Sequence, residues 1–122
     1  MNLMTVELTL ASLTKRYGGR KILNKLELAV AGGEVIGVFG PNGSGKSTLL
    51  RCIAGLLRPS GGSVKLHVNA TDCSAPAMLR SMVGYVSPEL NLYPELSARE
   101  NLQFFAAVTS RPSKPIPELL AH

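Results

Sequence analysis

The sequence is poor in aromatic residues and cysteine: its 122 residues include no tryptophan, three tyrosines, three phenylalanines and two cysteines. So few aromatic residues, none interleaved with basic ones, do not form the stacking surface of a single-stranded nucleic-acid binder. Cys52 and Cys73 lack the spacing of metal ligands, and Cys52 falls in an apolar helical pattern, which predicts a small core residue. No run approaches the ~20 apolar residues of a membrane-spanning helix. The N-terminus also lacks a signal-peptide pattern, so we expect a cytoplasmic protein.

Acidic residues are also in the minority, since thirteen lysines and arginines against eight acids give a net charge of +5. The basic residues are scattered, and Lys15, Arg16, Arg20 and Lys21 come closest to a cluster. We interpret most of this charge as solvated surface and expect no nucleic-acid partner. Part of it could complement a nucleotide triphosphate.

The first third of the chain has the pattern of a two-stranded unit. Residues 6–10 and 26–30 alternate apolar and polar side chains, with the pair Gly18-Gly19 between them. This predicts two half-buried antiparallel strands. Residues 63–68 alternate in the same way and predict a further strand.

The pattern changes at residues 35–39, which are almost continuously apolar and rich in β-branched side chains. Such a run is typical of a parallel strand covered on both faces. A glycine-rich loop follows, and apolar residues then recur at spacings of three and four, which predicts a helix over 46–57. Residues 70–77 are predicted as a polar loop, 78–82 as a helical turn and 83–86 as a short strand.

The end of the chain combines a helix with a proline-rich tail. Ser97 and Glu100 have the spacing of a capping box, so we predict a helix from Ala98 to about Val108. Three prolines between 112 and 117 exclude a core element there. We therefore divide the chain into a domain over 1–110 and a tail over 111–122.

One motif carries the chemistry, and it matches G-x-x-x-x-G-K-[ST] at every position. It consists of Gly40, Pro41, Asn42, Gly43, Ser44, Gly45, Lys46, Ser47 and Thr48. Glycines let successive backbone N–H groups curl around an anion, and a helix beginning near Lys46 adds the positive end of its dipole. Lys46 can reach the β- and γ-phosphates, and Ser47 can offer a hydroxyl to Mg²⁺. The motif predicts a phosphate-binding site for ATP and Mg²⁺. The alternative, a ligand-free turn, does not require Lys and Ser at these offsets.

The motif and its surroundings resemble a known family. Residues 40–62 closely resemble the ATPase domains of ABC transporters, and residues 13–18, 33–35 and 92–102 resemble the same family. The resemblance covers roughly residues 6–108. Residues 92–102 also resemble the branch of small exporters that includes haem-export ATPases.

The resemblance implies a fold and several partners. The fold would be α/β, of the P-loop NTPase type, with an N-terminal antiparallel β-subdomain. Tyr17 would stack on the adenine, and Ser47 would bind the metal. The partners would be a transmembrane permease subunit and a second ATPase domain that sandwiches the nucleotide. The chain would then lie peripherally on the inner face of the membrane.

The sequence also departs from the family pattern. Where the family carries a glutamine that contacts Mg²⁺ and water, this chain has Pro88 or Glu89; Glu89 is either a substitute ligand or a plain loop residue. The family's signature motif, its Asp–Glu pair and its switch histidine are absent, and neither His67 nor His122 is placed to replace the last. We therefore expect an incomplete domain that binds ATP but hydrolyses it poorly by itself.

Two other functions stay open at this point. One is a non-transport ABC-type protein of DNA repair or translation, although such proteins usually carry long insertions or a second cassette, which this chain lacks. Co-purification with nucleic acid would favour it. The other is a fragment that acts only by association and does not bind nucleotide.

Overall fold

The structure is a computed structural model that describes residues 4–87 and 92–108. Its elements are β1 (Val6–Tyr17), β2 (Arg20–Ala31), α1 (Lys46–Ile53), β3 (Gly61–Val68), β4 (Thr71–Asp72), α2 (Pro76–Met82) and α3 (Ala98–Val108). The chain divides into two compact units, Met1–Tyr85 and Val86–His122. The predictions for Pro88, Glu89 and the tail 111–122 lie outside the described residues.

The predicted antiparallel pair is present and extends further than the alternation indicated. Strands β1 and β2 each have twelve residues and pair up to Tyr17 and Arg20, which lie opposite each other across the Gly18-Gly19 turn. Gly18 has φ +60°, a conformation that glycine adopts without penalty. The polar residues 14–17 therefore belong to a strand, of which Thr14 is buried and Arg16 and Tyr17 are exposed at the end of the hairpin.

The sheet has four strands in the order β2-β1-β3-β4, all antiparallel neighbours. Strand β3 confirms the prediction for 63–68 and begins two residues earlier. Strand β4 corrects the prediction of a continuous polar loop over 70–77. Asn69 and Ala70 both have positive φ, as in a type I′ turn, and this turn brings Thr71 opposite Val68.

The core of the first unit lies between one face of this sheet and the helices α1 and α2. Its buried residues are Leu10, Leu13, Leu23, Cys52, Val64, Leu66, Cys73 and Leu79. Cys52 is a core residue, as predicted, and burial raises the pKa of its thiol. A thiol with a raised pKa is a poor nucleophile, in agreement with a packing role.

Helix α1 is shorter than the predicted 46–57, because it ends at Ile53 and Gly55 follows with φ +75°. A Cβ at Gly55 would lie 2.7 Å from the carbonyl oxygen of Pro76, so the turn packs closely against α2. Leu49, Ile53 and Leu57 pack on the core. Leu50 and Leu56 belong to the same recurrence of apolar residues in the sequence but are exposed.

Two predicted strands are not formed. Residues 35–39 and 83–86 have no strand conformation, and Val35, Phe39 and Val86 are 95%, 92% and 82% exposed. A strand requires a hydrogen-bonding neighbour, and no strand among the described residues pairs with either segment. The predicted parallel, buried strand over 35–39 and the predicted short strand over 83–86 were therefore both wrong for this chain.

The second unit contains the predicted capping box at the start of α3. The Ser97 N–H donates to Glu100 Oε1 at 2.9 Å, and the Glu100 N–H donates to Ser97 Oγ at 3.1 Å. Asn101 is buried, accepts from the Tyr93 N–H, and donates to the carbonyls of Tyr93, Leu96 and Ser97. These bonds fix residues 93–97 against the first turn of the helix.

Candidate functional site

The glycine-rich loop leads directly into α1 and packs against the hairpin. Gly45 is the N-cap residue, with φ +103°. A Cβ at this position would lie 3.0 Å from Ile22 Cγ2 and 3.1 Å from the Ile22 carbonyl oxygen. Gly43 has φ +85° in open space. Glycine is therefore required at Gly45 both by the backbone conformation and by the close approach of β2.

The N-terminus of α1 has backbone donors that no side chain caps. The first turn contains no acidic residue, and Gly45 makes no side-chain capping bond. The Leu49 N–H donates to the Gly45 carbonyl at 2.9 Å, which closes the first helical turn. The N–H groups of residues 46–48 therefore have no helical acceptor, and they can bind an anion at the positive end of the helix dipole.

Lys46 lies across this loop. Its side chain is half-buried, and its ammonium group donates a hydrogen bond to the carbonyl oxygen of Gly40 at the start of the motif. The charge is thus held within the loop. A phosphate oxygen is a stronger acceptor than a neutral carbonyl, so Lys46 can exchange this bond for one to an anionic ligand.

A cavity of about 330 Å³ lies between the loop and the hairpin turn. It is lined by Tyr17, Arg20, Ile22, Asn42, Gly43, Gly45, Lys46, Ser47 and Thr48. The structure therefore brings Tyr17 together with Lys46 and Ser47, which are distant in sequence. Gly40, Pro41 and Ser44 do not line it; they shape the loop behind, where the Ser44 N–H donates to the Pro41 carbonyl at 3.2 Å.

Sequence reasoning missed Arg20 as a member of this cavity. Arg20 pairs with Tyr17 across the turn, and directly opposite residues of a hairpin point to the same face. Its guanidinium makes no hydrogen bond or ion pair with any residue of 4–87 or 92–108. The two-residue glycine turn is the signal that could have found Arg20, because it fixes which residue lies opposite Tyr17.

A larger cavity of about 690 Å³ lies at the other end of α1. Arg58, Ser60, Leu79 and Arg80 are among the residues that line it, and none of the motif residues does. Size therefore does not identify the functional site here. The smaller cavity has the convergent donors, the lysine and the aromatic ring.

Comparison with known proteins agrees with this geometry. The sequence profile of the ABC transporter family matches residues 23–121. The chain belongs to the ABC transporter family.

Relatives of this ABC chain include ATP-binding subunits of transporters. It is 37% identical over 123 residues to the Nod factor export ATP-binding protein I of Rhizobium leguminosarum bv. viciae, covering 98% of the chain and 39% of the relative. It is 36% identical to the ribose import ATP-binding protein RbsA 2 of Rhizobium etli, covering 89% and 21%. A solved ATP-binding subunit of an ABC transporter superposes with TM-score 0.65 at 30% identity, covering 82% of this chain and 41% of that one.

These comparisons confirm the predicted family and the α/β P-loop fold class. The chain spans about two fifths or less of each of these relatives. The small sheet and few helices are therefore those of part of an ABC ATPase domain. The similarity to haem-export ATPases stays a prediction.

The fit of the ABC site to Mg²⁺ rests on Ser47. Its side chain is exposed at the start of α1, lines the cavity, and makes no hydrogen bond to the described residues. No cluster of three or more His, Cys, Asp or Glu that could hold a metal occurs within 4–87 and 92–108. One hydroxyl suits an ion that keeps most of its waters and takes its other ligands from phosphate. Glu89 lies outside the described residues, so its role stays a prediction.

Among the residues with described positions, no helix is both long enough and apolar enough to cross a bilayer.

Proposed function

We propose that this chain is part of the ATP-binding subunit of an ABC transporter and binds Mg-ATP in the cavity between the hairpin turn and α1. The observation that carries the proposal is that a single cavity is lined by Tyr17, Lys46 and Ser47. These residues supply an aromatic face, a cation and a hydroxyl, which suit a base, a triphosphate and a hydrated metal ion.

The phosphates bind at the loop. The N–H groups at the start of α1 and in the glycine-rich segment surround the β- and γ-phosphates, with the helix dipole favouring their negative charge. Lys46 leaves the Gly40 carbonyl and bonds the terminal phosphates. Arg20 adds a second cation from the hairpin side.

The adenine stacks on Tyr17. Tyr17 is 51% exposed at the end of β1 and lines the cavity, so its ring is accessible to a flat ligand. Stacking on a π-face depends little on hydrogen-bond geometry and contributes about 1–3 kcal/mol for a base on an aromatic side chain. Ser47 holds Mg²⁺, which neutralises phosphate charge when it is bound.

Efficient hydrolysis is not expected from these residues. Phosphoryl transfer needs an oriented water and full stabilisation of the transferred group. The site supplies a phosphate cradle and one metal ligand. We propose that turnover requires the remainder of an ABC ATPase domain and a second such domain, and that a membrane permease couples the cycle to transport at the cytoplasmic face. The named functions of the relatives support transport rather than DNA repair or translation.

The test is calorimetric titration of the chain with Mg-ATP, compared with Lys46→Ala. We expect binding by the unmodified chain and at least a tenfold weaker affinity in the variant, because the lysine contacts two charged phosphates. Lys21→Ala is the matched control, since Lys21 is exposed on the same hairpin and does not line the cavity. Equal affinities for unmodified chain and Lys46→Ala would contradict the proposal. Failure of the unmodified chain to bind would instead favour association without nucleotide.

A further inference from the structure

Tyr17 is contacted by Lys15, which lies two residues earlier in strand β1. The Lys15 ammonium nitrogen lies 5.2 Å from the centroid of the Tyr17 ring, within the range of a cation–π interaction. Lys15 is half-buried and does not line the nucleotide cavity, whereas Tyr17 does. Lys15 therefore contacts the ring from outside the cavity that the ring lines.

The same ammonium group also reaches the segment that follows α1. It donates a hydrogen bond of 2.8 Å to the carbonyl oxygen of Arg58. Burial raises the pKa of Cys52 in α1, and the charge of Lys15 opposes this effect. Lys15 thus bridges the aromatic ring and the segment that follows the helix whose N-terminus carries the phosphate loop.

We propose that Lys15 is a positioning residue for nucleotide binding: it holds the Tyr17 ring at a fixed place relative to α1, and hence relative to the phosphate loop. The inference rests on the proposed function, because it concerns the ring on which the base stacks. Helix α1 has eight residues and spans roughly 12 Å as a rigid element. Anchoring the ring to the turn after this helix sets the separation between the base site and the phosphate site.

A fixed ring matters because Tyr17 lies beside the turn of a hairpin end that projects into solvent. Residues 16–21 are all exposed, and the strand pairing is shifted on both sides of Lys15. Without an anchor the ring samples several orientations, and stacking must then restrict them at the cost of binding energy. The lysine removes part of that cost before the nucleotide arrives.

The experiment measures the affinity of the whole chain for Mg-ATP and for tripolyphosphate, which has the phosphates but no base. The variants are Lys15→Met, Lys15→Arg, Tyr17→Leu and the double variant Lys15→Met/Tyr17→Leu. Methionine keeps an unbranched apolar side chain without the charge, and arginine keeps the cation. Lys21→Met is the control for loss of one positive charge on the same hairpin.

We expect Lys15→Met to weaken Mg-ATP binding about 2- to 5-fold, the size of an exposed cation–π contact, and to leave tripolyphosphate binding unchanged. Lys15→Arg should retain most of the affinity. The double variant should bind ATP no more weakly than Tyr17→Leu alone, because the lysine acts through the ring. Additive losses, or an equal loss for tripolyphosphate, would overturn the positioning role.

A nucleotide-free measurement separates this inference from the proposed function. The ring should shift the ε-methylene proton signals of Lys15 upfield in the NMR spectrum, and Tyr17→Leu should remove that shift. Absence of the shift would overturn the contact itself, whether or not ATP binds. If the shift is present but the unmodified chain does not bind ATP, the proposed function fails, and the positioning role in nucleotide binding fails with it.

Discussion

Two cations of the proposed site come from different elements and have different surroundings. Lys46 is half-buried and already bonded to the Gly40 carbonyl, whereas Arg20 is exposed and has no partner among the described residues. A bonded cation must exchange one partner for another when a ligand binds. A cation without such a bond loses side-chain entropy instead when it binds the ligand. Their contributions to affinity should therefore differ in size.

Arg20→Ala should weaken Mg-ATP binding by about 2- to 5-fold, less than Lys46→Ala, because an exposed ion pair is screened by water. Arg20→Lys should recover part of the loss, since it restores charge but not the bidentate geometry. Calorimetry at two salt concentrations checks this, and the difference should shrink at high salt. A loss of the same size in Lys21→Ala would show a general charge effect rather than a contact.

Gly45→Ala should abolish phosphate binding and lower stability, because alanine is strained at φ +103° and its methyl would press on Ile22 at 3.0–3.1 Å. A strained residue of this kind costs on the order of 1–3 kcal/mol. Thermal unfolding and tripolyphosphate titration measure the two effects. Gly19→Ala is the matched control, since Gly19 has open space and no positive φ. An unchanged phosphate affinity in Gly45→Ala would contradict the role given to the loop geometry.

At this scale the motif residues were readable from sequence, but their neighbours were not. The loop follows from residue type and spacing, and Tyr17 from the resemblance to ABC ATPases; their binding roles stay predictions. The positions of Lys15 and Arg20 depend on the register of the hairpin, which shifts between Leu10 and Leu13 and again on both sides of Lys15. Ser12 and Lys25 have positive φ in this region, and simple alternation of side chains does not reveal such irregularities.

At the scale of elements, the start of helix α3 is specified by a motif that is entirely local in sequence. Ser97 and Glu100 are three residues apart, so the chain needs no distant partner to form their reciprocal bonds. This is why the predicted start of α3 agrees with the structure. Residues 35–39 are the opposite case. Their β-branched run favours a strand, but pairing depends on a neighbour that the local sequence does not contain.

The capping box should make α3 sensitive to acid. The backbone and hydroxyl bonds from Ser97 lower the pKa of Glu100 below the ordinary value of 4.5. Because the folded pKa is the lower one, the stabilisation is present above about pH 4.5 and is lost as pH falls through the folded pKa. Amide protection factors in the first turn of α3 should therefore drop in this range.

In the variant Glu100→Gln, the amide protection factors of α3 should depend less on pH, because a glutamine can still accept the hydrogen bond from the Ser97 N–H but does not titrate. Glu95→Gln is the control, since Glu95 precedes the capping box. Protection factors measured by NMR between neutral and acidic pH decide the question. A dependence that persists in Glu100→Gln would assign it to another group.

At the scale of the whole molecule, the buried core is small relative to the apolar surface. Nine apolar residues are buried among those described, all of them before Tyr85. Meanwhile Val35 and Phe39 are 95% and 92% exposed within one apolar run. Contiguous exposed apolar surface and an unpaired β-prone segment both favour association. The isolated chain should therefore form oligomers in a concentration-dependent way.

Charging this run should suppress the association without unfolding the chain. The double variant Val35→Lys/Phe39→Lys replaces two side chains that contribute almost nothing to the core, so its thermal midpoint should match that of the unmodified chain. Light scattering over the micromolar range, where exposed apolar surface drives aggregation, should show a lower average mass for the variant. Leu13→Lys is the opposing control, since Leu13 is 0% exposed and a buried charge should unfold the first unit. If the unmodified chain stays monomeric over this concentration range, or if the variant associates to the same extent, residues 35–39 are not the surface through which the chain associates.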